Sequence, residues 1–234
     1  MTLQQKTARL LFLILALYCS APVARAQTPT PSPYDEPDYI VPARPTVSNP
    51  AEFQRPGVLQ LELGYSANFH ASGIFRDQED VPMALRFAVS RRILVELDTD
   101  SPYTLGVTSR LRNSGIGDTQ LGIQAVLLPE NAKRPGVAFA YYIKVPTASA
   151  NKGLGSGRVD HSFLGLVSKT AGKTTIDLNV IYLLAGRTLR NGHASSGQFA
   201  VAVPEAITKR FGVQCEIRGV SRNDAQAGAM FGLG

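Results

Sequence analysis

Along "GVLQLELGYSANF" (57–69) every second residue is apolar: Leu59, Leu61, Leu63, Tyr65, Ala67 and Phe69. The residues between them, Gln60, Glu62, Gly64, Ser66 and Asn68, are polar or tiny. Successive side chains of a strand point to opposite faces, so this period of two predicts a strand with one apolar and one polar face. The pattern returns along the chain. Met83, Leu85, Phe87 and Val89 oppose Ala84, Arg86, Ala88 and Ser90. After a tight turn expected at Ser90-Arg91-Arg92, Ile93, Val95 and Leu97 oppose Glu96 and Asp98. A weaker strand is predicted over 103–111. Residues 115–128 set Leu121, Ile123, Ala125 and Leu127 against Asp118, Gln120, Gly122 and Gln124. Residues 136–146 set Val137, Phe139, Tyr141 and Ile143 against Ala138, Ala140, Tyr142 and Lys144. Further strands are predicted over 160–169, 174–185, 197–203, 211–219 and 227–234. In 174–185, Ile176, Leu178, Val180 and Tyr182 oppose Asp177 and Asn179.

Roughly ten strands with evenly spaced turns predict a meander closed into a barrel or folded as a sandwich. No helical period is sustained after the N-terminal segment. Asn191-Gly192 fits a hairpin turn. Alternation does not say which face meets water. A soluble barrel or sandwich turns the apolar face inward, whereas an outer-membrane barrel turns it to lipid and keeps the polar face for its lumen. Two features favour lipid. Several predicted strands reach nine residues or more, enough to cross a bilayer at a tilt. The polar face carries Glu62, Arg86, Asp118, Lys144, Asp177 and Glu216, a mixture of signs that can pair across a wetted interior. The lack of tryptophan counts against it, although 8 Tyr and 10 Phe can form the interfacial girdles.

Residues 1–26 are read as an export signal. Lys6 and Arg9 precede the apolar run Leu10–Cys19, and Ala24-Arg25-Ala26 is a small-x-small cleavage signal, so cleavage is expected between Ala26 and Gln27. Export adds to the case for a bacterial envelope protein. It also changes the composition. Of 24 basic residues, Lys6, Arg9 and Arg25 leave with the signal and no acid does, so 21 stand against 18 and the net charge falls from +6 to +3. That is no argument for nucleic acid. Cys19 leaves too, and Cys215 alone cannot form an intramolecular disulfide. Residues 27–56 are proline-dense and predict a periplasmic linker or tether, with a plug entering the lumen as the alternative. The β-barrel domain is placed at 57–234.

Three ordered stretches carry a resemblance: "GIGDTQLGIQAVLL", "AFAYYIKVPTAS" and "GLGSGRVDHSFLGLVSK". They are similar to the family of outer-membrane β-barrels assigned as transporters of the meta-pathway of phenol degradation. Its members show a Gly-x-Gly-Asp strand start, a Lys/Arg-Val/Leu-Pro-Thr strand end, and a Gly-rich turn followed by Asp. Here these are Gly115-Ile116-Gly117-Asp118, Lys144-Val145-Pro146-Thr147, and Gly153 to Gly157 with Asp160. "DLNVIYLLAGR" resembles the family's next strand, and the likeness covers about residues 57–222. It implies an antiparallel up-and-down transmembrane β-barrel of about ten to twelve strands when complete. It brings no catalytic residues. The chain ends "AQAGAMFGLG", inside an alternating strand, where such barrels end on a terminal aromatic, so truncation is the expectation.

Other candidate chemistry is weak. "GLGSGR" lacks the Gly-Lys-Ser/Thr ending of a phosphate loop and reads as a flexible connection. In "DHS" (160–162), His161 and Ser162 should point to opposite faces and cannot act as base and nucleophile. His70, His161 and His193 have no metal-ligand spacing. Asp98 and Asp100 read as turn carboxylates rather than a calcium loop. No enzyme activity and no cofactor are expected.

The polar wall is the functional candidate. Gln60, Glu62, Arg86, Asp118, Gln120, Lys144, Asp177 and Asn179 are expected to line the lumen. Fixed charges there would set which solutes pass. The first expectation is an exported outer-membrane barrel giving passive passage to small solutes, aromatic or hydrophobic ones among the candidates. Its partners would be outer-membrane lipid, the solutes and the outer-membrane assembly machinery. A non-conducting structural barrel and a soluble periplasmic barrel binding an apolar ligand stay open as alternatives.

Overall fold

The alternating stretches pair into a single antiparallel sheet. The computed structural model describes residue 43 and residues 48–69, 77–106, 112–187, 192–207, 212–221 and 227–233. Twelve strands occur among them: β1 (Leu59–Leu63), β2 (Ser66–Phe69), β3 (Asp77–Ala88), β4 (Ile93–Gly106), β5 (Arg112–Gly115), β6 (Thr119–Leu128), β7 (Gly136–Val145), β8 (Asp160–Ala171), β9 (Thr174–Gly186), β10 (His193–Ala206), β11 (Gly212–Ser221) and β12 (Ala227–Leu233). They are ordered β1-β3-β4-β6-β7-β8-β9-β10-β11-β12, with β2 and β5 added along β3 and β4. Each strand returns beside its predecessor, so the fold is the all-β, up-and-down meander that the pattern predicts. Strands β1 and β12 stand at the two ends of this order, each with one neighbour among the described residues.

The sheet is strongly curled. On a flat sheet β1 and β10 would lie about 34 Å apart, seven spacings of about 4.8 Å. Yet Glu62 of β1 and Gln198 of β10 line one cavity of about 370 Å³. The wall therefore has an inside and an outside. Turns at one end are short, as at 89–92 and 172–173, and the connection 146–159 at the other end is long.

Burial then settles the direction of each face. On β1, Leu59, Leu61 and Leu63 are 61%, 60% and 61% exposed, while Gln60 and Glu62 are 4% and 9% exposed. The apolar face is outside. Between Met83 and Phe87 on β3, Ile93 and Leu97 on β4, Leu121 and Ala125 on β6, and Ile176 and Leu184 on β9, no outward position holds Asp, Glu, Lys or Arg. The core is split into two small inner clusters. One groups Ala51, Ala138, Ala140, Tyr142, Leu164 and Leu166; the other groups Phe53, Ala88, Leu94 and Val126.

Several local expectations are corrected. The stretch 57–69 is two strands, not one. Gly64 N donates to Pro82 O (2.9 Å), and β3 shifts register against β4 between Asp80 and Pro82. Proline has no N–H to give the ladder, so β1 and β2 part opposite Pro82, and the shift against β4 sets Ser101 and Pro102 of β4 against Val81 alone. Of the weak strand expected over 103–111, residues 103–106 belong to the single strand 93–106, so Asp98 and Asp100 sit in β4 rather than in a turn; residues 107–111 lie outside the described residues. Gly192 takes φ +94°, and Arg187 N closes the connection on Gly192 O (3.1 Å); Asn191 lies outside the described residues.

The largest correction concerns the proline-dense segment. Its described residues, Ala43 and 48–56, are not a free tether. Ala51, Phe53 and Gln54 are fully buried against the inner wall. A segment buried against a polar inner wall must satisfy its main chain there, and polar side chains of the wall do this. The predicted boundary at 57 thus moves toward the N-terminus. Ala26, Gln27 and the export signal lie outside the described residues.

Candidate functional site

The inner wall holds three polar constellations. The first lies at the long-connection end. The register places Lys144 of β7 between Gln120 of β6 and Asp160 of β8. Its Nζ lies 2.7 Å from Asp160 Oδ2 and 3.1 Å from Asp118 Oδ2, and donates to Ser156 Oγ at 2.9 Å. The second oxygens of both carboxylates are used as well. Asp118 Oδ1 accepts Ala148 N (3.1 Å) and Asp160 Oδ1 accepts Gly186 N (2.8 Å). Thr147 Oγ1 donates to Gly117 O (3.1 Å). The connection 146–159 is therefore packed down, not a flexible loop. Leu154 is buried, and a Cβ on Gly155 would lie 2.5 Å from Asp118 Oδ1. Only glycine permits that approach.

The second constellation is a buried charge group. Arg86 is 0% exposed, with Nη1 3.3 Å from Glu62 Oε1 and Nε 3.6 Å from Glu96 Oε2. Tyr142 OH donates to Glu96 Oε2 (3.1 Å) and accepts Asn49 Nδ2 (3.1 Å). Gln60 Nε2 also donates to Glu62 Oε1. A guanidinium this deep needs such acceptors, since burying it alone would cost several kcal/mol. Gly122 makes room for the ring: a Cβ there would lie 2.3 Å from Tyr142 Cε1.

The third constellation receives residues 48–54. Asn179 bonds Asn49, Gln124 bonds Pro50 and Ala51, and Ser168 bonds both Ala51 N and Asp177 Oδ1. Nearer the short turns, Glu52 Oε1 accepts Glu130 N (2.6 Å). Burial raises the Glu52 carboxyl above its usual range, the Glu130 N–H bond opposes this, and the Glu130 carboxylate adds to the rise.

The cavity of about 370 Å³ lies between these groups. Glu62, Glu96 and Asp98 form one side of its lining; Leu164, Ile181 and Leu183 form another. Ala43 and Asn49 of the inner segment also line it.

All eight residues expected on the polar wall are on the inner side, in unequal settings. Glu62 and Gln120 line the cavity. Asp118 and Lys144 form the rim group. Gln60, Arg86, Asp177 and Asn179 are enclosed. Glu96, Gln124, Tyr142 and Ser168 complete these groups and share the same strand parity, which was the available signal for them. His161 and Ser162 are separated as expected: His161 Nδ1 pairs with Tyr141 OH (2.8 Å), while Ser162 lines the cavity. His161 does meet His193, with ring centroids 5.5 Å apart, a contact that sequence distance hides. His70 lies outside the described residues. Among the described residues, no group of three His, Cys, Asp or Glu could hold a metal.

No curated protein matches the chain. A family model matches residues 43–228, spanning the inner segment and strands β1 to β11 and reaching into β12, and including all three motifs of the rim group. The chain belongs to the family described as "Putative MetA-pathway of phenol degradation".

Proposed function

We propose that this chain is an exported outer-membrane β-barrel whose lumen passes small solutes. The observation that carries the reading is the inverted distribution of the sheet: apolar residues outside, paired charges inside. Along β9 the uncharged outward positions run from Ile176 to Leu184. Eight steps of about 3.4 Å make about 27 Å along the strand, or roughly 20 Å of height at a tilt of 35–45°. That approaches the apolar band of about 25 Å that such barrels present. The family's description links it to phenol degradation, and a cavity with an apolar side and a carboxylate side suits small aromatic solutes with a hydrogen-bonding group. Outer-membrane lipid and the barrel-assembly machinery are the partners this reading requires. It needs no catalytic residue and no cofactor.

Purified protein in planar bilayers tests the channel, with flux of phenol and benzoate into proteoliposomes beside it. Silence in both would remove the channel and leave the barrel. Carbonate washing of membranes tests the location, since a soluble periplasmic barrel would be released. One observation favours a non-conducting structural barrel as the second reading: residues 48–54 fill the short-turn half of the interior.

A further inference from the structure

The wall grips residues 48–51 by their main chain. Asn179 clasps Asn49 from both sides: Oδ1 accepts Asn49 N at 2.7 Å, and Nδ2 donates to Asn49 O at 2.8 Å. Gln124 Nε2 donates to Pro50 O and Ala51 O, both at 3.1 Å. Ser168 Oγ accepts Ala51 N at 2.7 Å, and Glu216 Oε2 accepts Ser48 N at 3.0 Å. Four strands, β6, β8, β9 and β11, thus read six main-chain groups of four consecutive residues. Pro50 has no N–H to leave unmet in this grip. Two residues farther on, Phe53 fills the apolar pocket of Ala88, Leu94 and Val126. Main-chain bonds that hold a peptide, with a pocket for a chosen side chain, are the geometry of peptide recognition.

We propose that the inner wall is a binding site for an extended peptide, occupied in cis by residues 48–54, and that this occupant is the closed gate of the lumen. The gate rests on the channel reading above. Three features make it displaceable. The strand ladders pair with one another, and the segment adds to them only at their margin, where Gln54 Nε2 donates to Arg86 O at 3.0 Å. The groups that hold residues 48–51 are polar side chains, for which water is a ready alternative partner. The segment joins the barrel through Gly57 at φ +80°, a conformation that glycine adopts at little cost. Its withdrawal would open the cavity, which Ala43 and Asn49 now border, toward the short-turn end.

The test uses the full chain with Cys19 and Cys215 changed to Ser. Ala51→Cys alone reports exposure of the segment through its rate of labelling by a soluble maleimide. Adding Asn179→Ala should raise that rate about tenfold or more, as expected when two buried hydrogen bonds are lost, and should raise solute flux with it. As a second variant, Ala51→Cys with Ser168→Cys should abolish flux when oxidised and restore it on reduction, which guards against misfolding of Asn179→Ala. Labelling that rises together with flux supports the gate. Unchanged labelling in the folded Asn179→Ala chain overturns it. Labelling that rises with no flux in any variant overturns the channel reading, and the gate with it, while leaving the peptide site intact.

Discussion

Lys144 and Asp160 stand directly opposite each other on β7 and β8, with Nζ 2.7 Å from Oδ2, and Asp118 takes the other side of the same ammonium at 3.1 Å. Three motifs far apart in the chain, Gly115–Asp118, Lys144–Thr147 and Gly153–Asp160, thus form one knot. Its second-oxygen bonds tie down the main chain at Ala148 and Gly186. The group is a clamp for the connection 146–159.

Lys144→Met should therefore loosen that connection. It leaves two carboxylates facing each other, and the site is partly solvated, so a cost of about 1–2 kcal/mol is expected, between an exposed pair and a buried one. Urea unfolding of the folded barrel in detergent reads the cost. Protease cleavage within 148–158 should increase in parallel.

Arg86→Met should be more damaging. Arg86 is the charge that separates Glu62 from Glu96, and all three are buried. Removing one partner of such a group costs about 3–5 kcal/mol. Adding Glu62→Gln to Arg86→Met should recover part of the loss. A double variant no more stable than the single would show that the carboxylates are not held by Arg86.

Leu61→Lys separates lipid from water outside the barrel. In a bilayer it should cost about 2–4 kcal/mol at mid-depth; in a soluble barrel an exposed leucine changed to lysine would cost almost nothing. A polar-face control needs a position open to the cavity, and Gln60 is enclosed, with Nε2 bonded to Glu62. Gln120→Lys, which lines the cavity, is the better one and should leave folding into lipid vesicles nearly unchanged.

Glu52 gives a pH signature. Its folded pKa is raised above the ordinary 4.5, with burial the main cause. A raised carboxyl binds its proton more tightly in the folded chain, so its contribution favours folding at acid pH and is lost as pH rises from the unfolded pKa through the folded one. Glu130 N bonds Glu52, and the Glu130 carboxylate pairs in turn with Lys169 at 3.2 Å. Glu52→Gln keeps an acceptor for Glu130 N and should flatten this part of the stability-against-pH curve. An unchanged slope would assign it to another group.

Gly122→Ala should act through Tyr142. Its Cβ would meet the ring at 2.3 Å, so the ring must move and release Glu96 and Asn49. Overpacking of this kind costs about 1–3 kcal/mol. Tyr142→Phe in the same chain should leave less to lose, which a double-mutant cycle measures.

The sequence by itself determined most of the strands and the membership of each face. Parity is local: whether Leu61 and Glu62 point apart depends only on the backbone between them. It identified all eight inner-wall residues as one set, and the three motifs as a series. Strand continuity failed opposite proline, because Pro82 interrupts a ladder whose partner strand is named nowhere in the local pattern. Tertiary structure decided what local pattern cannot contain. Whether the polar face is inside depends on the curl of the whole sheet. Whether Asp118, Lys144 and Asp160 meet depends on register across three strands. Whether residues 48–54 hang free or fill the interior depends on Asn179, Gln124, Ser168 and Glu216, which lie 73 to 168 positions away in the chain. Proline density describes how a chain extends, and only the surfaces around it determine what that extended chain binds.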